Sequence, residues 1–252
     1  MKSLNYYINE KLIIKKNNNM YKYFPKTKEE LQELLKQLIE ERGNEGDFND
    51  IDTSEITDMS DLFNELYYFN GDISKWDVSN VTNMYAMFYK CESFNQPLNN
   101  WDVSNVTDMY AMFDRCDKFN KPLNNWDVSN VTSMKYMFFG CESFNQSLNN
   151  WDVSNVTDMY GIFCRCKSFN QPLNNWDVSK VTYMGDMFSI CESFNQSLNN
   201  WNVSNVKSMK RMFFWCKSFN QDISNWNVDN VNSYKYIFDN CKIEEKYKPK
   251  FK

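Results

Sequence analysis

The chain has 252 residues, a formal charge of −5 and no histidine. Without imidazole, Ser–His–Asp and Cys–His nucleophilic pairs and His-based zinc sites are excluded within this chain, and the acidic balance argues against general nucleic-acid binding, which needs clustered Lys and Arg. Aromatic residues at 17% are too many for a disordered chain, and no stretch has the length of apolar sequence that a membrane-spanning helix needs, so no membrane insertion is expected.

Residues 1–24 are rich in Asn and Lys and read as a mobile N-terminal segment, with Met20 as an alternative start. They show neither the apolar run nor the cleavage site of a secretory signal, so the default expectation for location is the cytoplasm. Residues 25–50 read as an N-terminal helical cap. In "TKEELQELLKQLIEERG", Thr27 and Glu30 fit a capping box, Leu31, Leu34, Leu35 and Leu38 form an apolar stripe, and Gly43 is a natural stop.

From residue 51 to 241 the sequence repeats with a period of 25 and no gap. Trp recurs at 76, 101, 126, 151, 176, 201 and 226, and Cys at 91, 116, 141, 166, 191, 216 and 241. Phe recurs at 88, 113, 138, 163, 188, 213 and 238, with a second series from Phe94 to Phe219. A degenerate unit beginning at Ile51, with Leu66 in the Cys position, brings the number of units to eight. A strict period of this size is the mark of stacked coils.

Inside the Trp101 unit, Val106, Met109, Met112, Phe113 and Cys116 follow i, i+3, i+6, i+7, i+10, which predicts one face of a short helix with Thr107 as its N-cap. Trp126 and Val128 alternate with Asn125 and Asp127, which predicts a brief strand. The fold expected is therefore α/β: a leucine-rich-repeat-like solenoid of about eight 25-residue coils, each with one short parallel strand and one short helix, closed by the N-terminal capping helix. An all-β solenoid, with "VTDMYAMF" as strand, is the alternative. Residues 242–252 form a charged C-terminal tail that blunts the last coil.

The periodic residues read as architecture rather than chemistry. The regular cysteines are expected to be small core residues, with Cys164 as an exposed thiol outside the series. The ladder of Asp52, Asp77, Asp102, Asp127, Asp152 and Asp177 gives way to Asn202 and Asn227. That exchange favours an Asx-type turn, in which either oxygen accepts backbone amides, over a line of calcium sites. Every unit carries the same polar set and none is unique, so no catalytic residue, cofactor or metal is expected.

Information about a partner must then sit where the period breaks. The candidate partner-binding residues are Tyr85, Tyr89, Tyr110, Arg115, Lys135, Phe139, Tyr160, Arg165, Ile190, Phe214 and Trp215, which lie off the predicted Met/Phe/Cys helix face. Exposed aromatic residues beside Lys and Arg have the composition of binding hot spots.

The string "FNQPLNNWDVSNVTDMYAMF" (94–113), with the Cys and "FNK" that follow, resembles the BspA-like surface-protein repeats, which are related to leucine-rich repeats and also seen in mycoplasma lipoproteins, protists and large DNA viruses. The leading "FPKTKEELQELLKQLIEERG" resembles the entry segment of the same family. The resemblance implies a leucine-rich-repeat-like solenoid, a role in binding or adhesion and a surface or secreted location, with no catalytic residues to carry over. The function expected is a non-enzymatic repeat scaffold that binds another protein through its exposed helical face. A glycan-binding or adhesive module is the second reading, and a structural repeat without a specific ligand the third.

Overall fold

In a computed structural model, the structure describes residues 21–252; most of the N-terminal segment expected to be mobile, and Met20, lie outside them. Helix α1 spans Lys28–Arg42. Thr27 is extended and its side chain accepts from the Glu30 amide at 3.2 Å. The Glu30 carboxylate reaches back to the amide of Lys26 rather than Thr27, one residue further than a regular capping box. Gly43 ends the helix at φ 76, a left-handed conformation in which a side chain would be strained. Leu31, Leu34, Leu35 and Leu38 are buried in the same core as Phe48 and Ile51, so α1 covers the apolar end of the first coil. Tyr23, just ahead of it, forms a parallel bridge with Ile51.

The expectation of one helix and one strand per coil is overturned. Among the described residues α1 is the one α-helix, and β pairing is limited to isolated bridges. The segment from Met84 to Cys91 is a ladder of overlapping turns. The amides of Met87, Tyr89 and Cys91 donate to the carbonyls three residues back at 2.9–3.3 Å. The alternate amides of Met84, Ala86, Phe88 and Lys90 donate to Asp108, Tyr110, Met112 and Asp114 of the next coil at 2.7–3.0 Å. The Tyr85 amide is taken by the Asn83 side chain at 3.0 Å. Every amide in the segment therefore has a partner without a helix.

This pattern requires left-handed residues at fixed places. Ala86 (φ 49) and Lys90 (φ 60) are followed one coil later by Ala111 (φ 51) and Arg115 (φ 59), and so on to Tyr236 and Asn240. Positive φ at the third residue of a turn is the type II signature, and two such residues in eight break any α-helix. The apolar spacing misleads because an i→i+3 turn, like a helix, brings residues i and i+3 together. It places Met84 by Met87 and Phe88 by Cys91, and periodicity cannot tell the two apart.

The predicted strand at Trp126 is a corner between two turns. The Trp126 amide donates to Leu123 at 3.1 Å, and the Val131 amide to Val128 at 2.9 Å. With both flanks committed to turns, no run of extended residues remains to pair. The indole Nε1 instead donates to the Leu98 carbonyl of the preceding coil at 2.9 Å. Parallel bridges form at one position per coil, from Asp58↔Asn83 to Ser208↔Ser233. The ladder aspartates act as turn closures: Asp102 Oδ1 accepts from the Ser104 amide at 3.1 Å and its hydroxyl at 2.6 Å. Asn202 does the same for Ser204, which accounts for the Asp/Asn exchange. Hydrogen bonds from Ser104 hold the Asp102 carboxyl below the usual carboxylate range.

The core is a set of ladders along the stack. Phe88, Phe113, Phe138 and Phe163 lie with ring centroids 5.5–5.8 Å apart and planes within 5°. Phe94, Phe119 and Phe144 form a second column at 6.0 Å. The Cys116 thiol is fully buried and donates to the Phe88 carbonyl at 3.0 Å, a contact repeated from Cys91 to Cys216 at 2.8–3.0 Å. Burial raises these thiols far above their ordinary range, so they are inert core groups. Leu66, in the cysteine position of the first unit, does not share that environment and is 38% exposed. At the far end the charged tail also makes apolar contacts. Ile243 is buried, and Phe251 stacks on Tyr234 at 4.5 Å.

Candidate functional site

The turn ladders of successive coils lie side by side, so their left-handed residues and the residues just before them form one continuous face. Two depressions run along it. The first, of about 370 Å³, is lined by Tyr85, Tyr89, Tyr110, Arg115 and Phe139 together with Asp61, Tyr136 and Asp114. The second, of about 300 Å³, is lined by Phe139, Tyr160, Arg165, Ile190 and Phe214 together with Cys164, Asp186 and Arg211. Tyr136 and Phe139 belong to both, so the depressions are neighbours along the stack. The face is built of turns, not of helices as the sequence suggested.

Nine of the eleven candidate residues therefore line a depression, and the other two stand beside it. Lys135 Nζ lies over three rings, 5.9 Å from Tyr110, 5.4 Å from Tyr136 and 5.5 Å from Tyr160. Trp215 is 41% exposed, with Lys217 over its ring at 5.5 Å. The tyrosines form a row: Tyr85 stacks on Tyr110 at 4.9 Å, and Tyr136 meets both Tyr110 and Tyr160 edge-on at 5.9 and 5.3 Å. Edge-to-face contacts of this kind stabilise by about 0.5–1.5 kcal/mol beyond area burial, which fixes the rings in place.

Two carboxyls sit low in this face, in contrasting surroundings. Asp186 is buried and hydrogen-bonded through Oδ2. The Tyr160 hydroxyl donates to it at 2.5 Å, Arg211 donates through Nη2 at 3.0 Å, and Arg211 Nε lies 2.9 Å from Oδ1 as an ion pair without hydrogen-bond alignment. Burial first, and then Asp186, push the Tyr160 hydroxyl up. Asp114 has no such partners. Its Oδ1 is buried without a hydrogen bond, and the nearest cation, Arg115 Nε, stands at 3.9 Å. Lys90, which could turn toward it, is engaged by Glu65 at 2.7 Å. Burial pushes the Asp114 carboxyl up to about 7, with Arg115 and Lys90 acting against the shift.

Cys164, expected as an exposed thiol, is 6% exposed. In its position along the coils, Tyr89, Phe139 and Phe214 are long enough to reach out, whereas the short thiol stays buried beside Asp186 and Ser189. Burial raises its pKa to about 12. The candidate residues do not include one contributing position, that of Ala86, Tyr136, Gly161, Asp186 and Arg211, which in the Trp101 unit is Ala111. The signal was present, because this position breaks the period as plainly as its neighbours.

The family model described as "Mycoplasma protein of unknown function, DUF285" matches residues 18–151 and again 133–250. No curated protein and no solved structure matches the chain. The two overlapping matches are what a sequence of interchangeable 25-residue units produces, since the model can settle on either half. Together they extend over nearly the whole chain, and the protein belongs to the DUF285 family.

Proposed function

We propose that the turn-ladder face is a recognition surface for an extended segment of another protein, on a non-enzymatic scaffold. The observation that carries this reading is the division of labour along the repeat. Residues that recur every coil hold the core and close the turns, whereas residues that break the period gather on one face and line both depressions. Fixed aromatic rings with cations over them are the chemistry of interface hot spots. Neighbouring depressions along a stack fit a chain better than a compact ligand. The resemblance to BspA-like surface repeats points the same way, toward binding or adhesion.

The reading is tested by selecting a peptide-display library on the immobilised protein and measuring the enriched peptides in solution. Phe139→Ser with Phe214→Ser is expected to weaken them at least tenfold while leaving the folded stack intact by circular dichroism. Peptides whose affinity ignores both substitutions would remove the face from the account. Glycan-array binding lost in the same variant, with no peptide enriched, would favour a carbohydrate ligand instead.

A further inference from the structure

Asp114 is the one carboxyl in this face whose oxygen is buried and unpartnered. It opens on a depression walled by Tyr85, Tyr89, Tyr110, Tyr136 and Phe139. A buried acceptor without a donor is costly, and an anion below a ring of π-faces selects for a cation that can lie flat against aromatic surface. The second depression shows what such a place accommodates. There the chain supplies its own guanidinium: Arg211 from the following coil reaches Asp186 beside the Tyr160 ring. Among the described residues nothing hydrogen-bonds Asp114 in the same way, since Arg115, which also lines the depression, stops at 3.9 Å with its side chain half exposed.

We infer that the first depression is a pocket for an arginine side chain of the partner protein, its guanidinium hydrogen-bonded to the Asp114 carboxylate and its plane against the surrounding tyrosine rings. The inference rests on the proposed recognition role of the face and specifies its chemistry. Arginine rather than lysine fits because a planar guanidinium can stack on a ring and donate to a carboxylate together; the chain's own Arg211 supplies the carboxylate half of that pairing at Asp186. The groups facing Asp114 are Lys90 from the preceding coil, Arg115 beside it, the hydroxyls of Tyr110 and Tyr136, and the thiols of Cys116 and Cys141; Asp61 lines the same depression, and Lys135 of the following coil stands over the Tyr110 and Tyr136 rings, where an incoming guanidinium has to displace it. Neither these tyrosines nor these thiols are charged near neutrality, and Lys90 stays cationic. Of these groups, Asp114 is the one that changes charge between pH 6 and 8, and binding of a cation strengthens as it ionises.

The probe is N-acetyl-arginine N-methylamide, with the citrulline analogue as a neutral control of the same shape, titrated against the full-length protein by NMR of the tyrosine rings. Saturable shifts at Tyr85, Tyr110 and Tyr136 are expected for arginine, several-fold stronger at pH 8 than at pH 6, absent for citrulline, and abolished in Asp114→Asn. Equal shifts with citrulline, or an unchanged arginine response in Asp114→Asn, would overturn the assignment. Folding of the variant is checked by the unaltered ring shifts of Tyr234 and Tyr236, far along the stack. If library-selected peptides still depend on Phe139 and Phe214 while arginine fails, only the cation pocket falls and the recognition face stands.

Discussion

Replacing Asp114 by Asn should change how the stability of the protein depends on pH. An ordinary aspartyl carboxyl titrates at 3.8, the value it takes in the unfolded chain, whereas in the fold burial lifts it to about 7. Between these values the folded protein still holds a proton that the unfolded chain has released. Stability contributed by this group is therefore complete below about pH 4 and is lost as pH rises toward 7. Each pH unit of that window corresponds to about 1.4 kcal/mol, which gives up to about 4 kcal/mol at pH 8. Water reaching the less buried oxygen reduces this, so a loss of about 2–4 kcal/mol is expected. Asn cannot titrate. The difference between variant and wild type, read from urea midpoints at pH 4, 6, 7 and 8.5, should move in favour of the variant by that amount as pH rises. A difference that stays flat across the range would show that Asp114 is solvated or paired in solution, and the reasoning about the pocket floor would fail.

The turn ladder makes predictions of opposite sign to a helix. Arg165 is exposed and left-handed at φ 65, so Arg165→Gly should stabilise by about 0.5–1 kcal/mol in thermal denaturation, whereas a helical position would lose about that much. Gly161→Ala should destabilise by more than about 1 kcal/mol, because a Cβ there would come within 2.7 Å of the Tyr136 ring, an edge that is itself held by its neighbours. A thiol reagent at neutral pH should leave the ladder cysteines from Cys91 to Cys216 unreacted in the native protein and titrate all 8 cysteines after denaturation; fewer than 8 would mean that disulfides hold part of the stack.

Much of the architecture was legible because the repeat is literal. The 25-residue register, the core positions of Trp101, Phe113, Cys116 and Phe119, and the turn role of Asp102 follow from periodicity and turn chemistry, and α1 from its cap and leucine stripe. The conformation between those positions was not. Met109 and Met112 meet equally well across a helical turn or an i→i+3 turn, and nothing in Ala111 or Arg115 announces a positive φ; only Gly140 and Gly161 hint at it. The strand failed for a related reason: Trp126 and Val128 do alternate, but turns at Leu123 and Val128 leave no extended chain around them. For the candidate face, broken periodicity identified the lining residues without fixing their geometry. Tyr136 and Asp186 became visible only when the left-handed position proved to face the groove, and the isolation of Asp114 is a property of distances that no spacing encodes.

The central claim is that each coil presents a turn ladder with left-handed residues, since this places Asp114, Tyr136 and Phe139 on one surface. It is tested most directly by the intraresidue amide–Hα NOE at Ala86 and Ala111, two residues of ordinary helix-forming type. Positive φ brings those protons close, so strong intraresidue NOEs are predicted at both, with φ near +50° as in the structure (49° and 51°). Weak intraresidue NOEs with an unbroken run of sequential amide–amide contacts from Met84 to Cys91 would mean a helix, and the face described here would not exist.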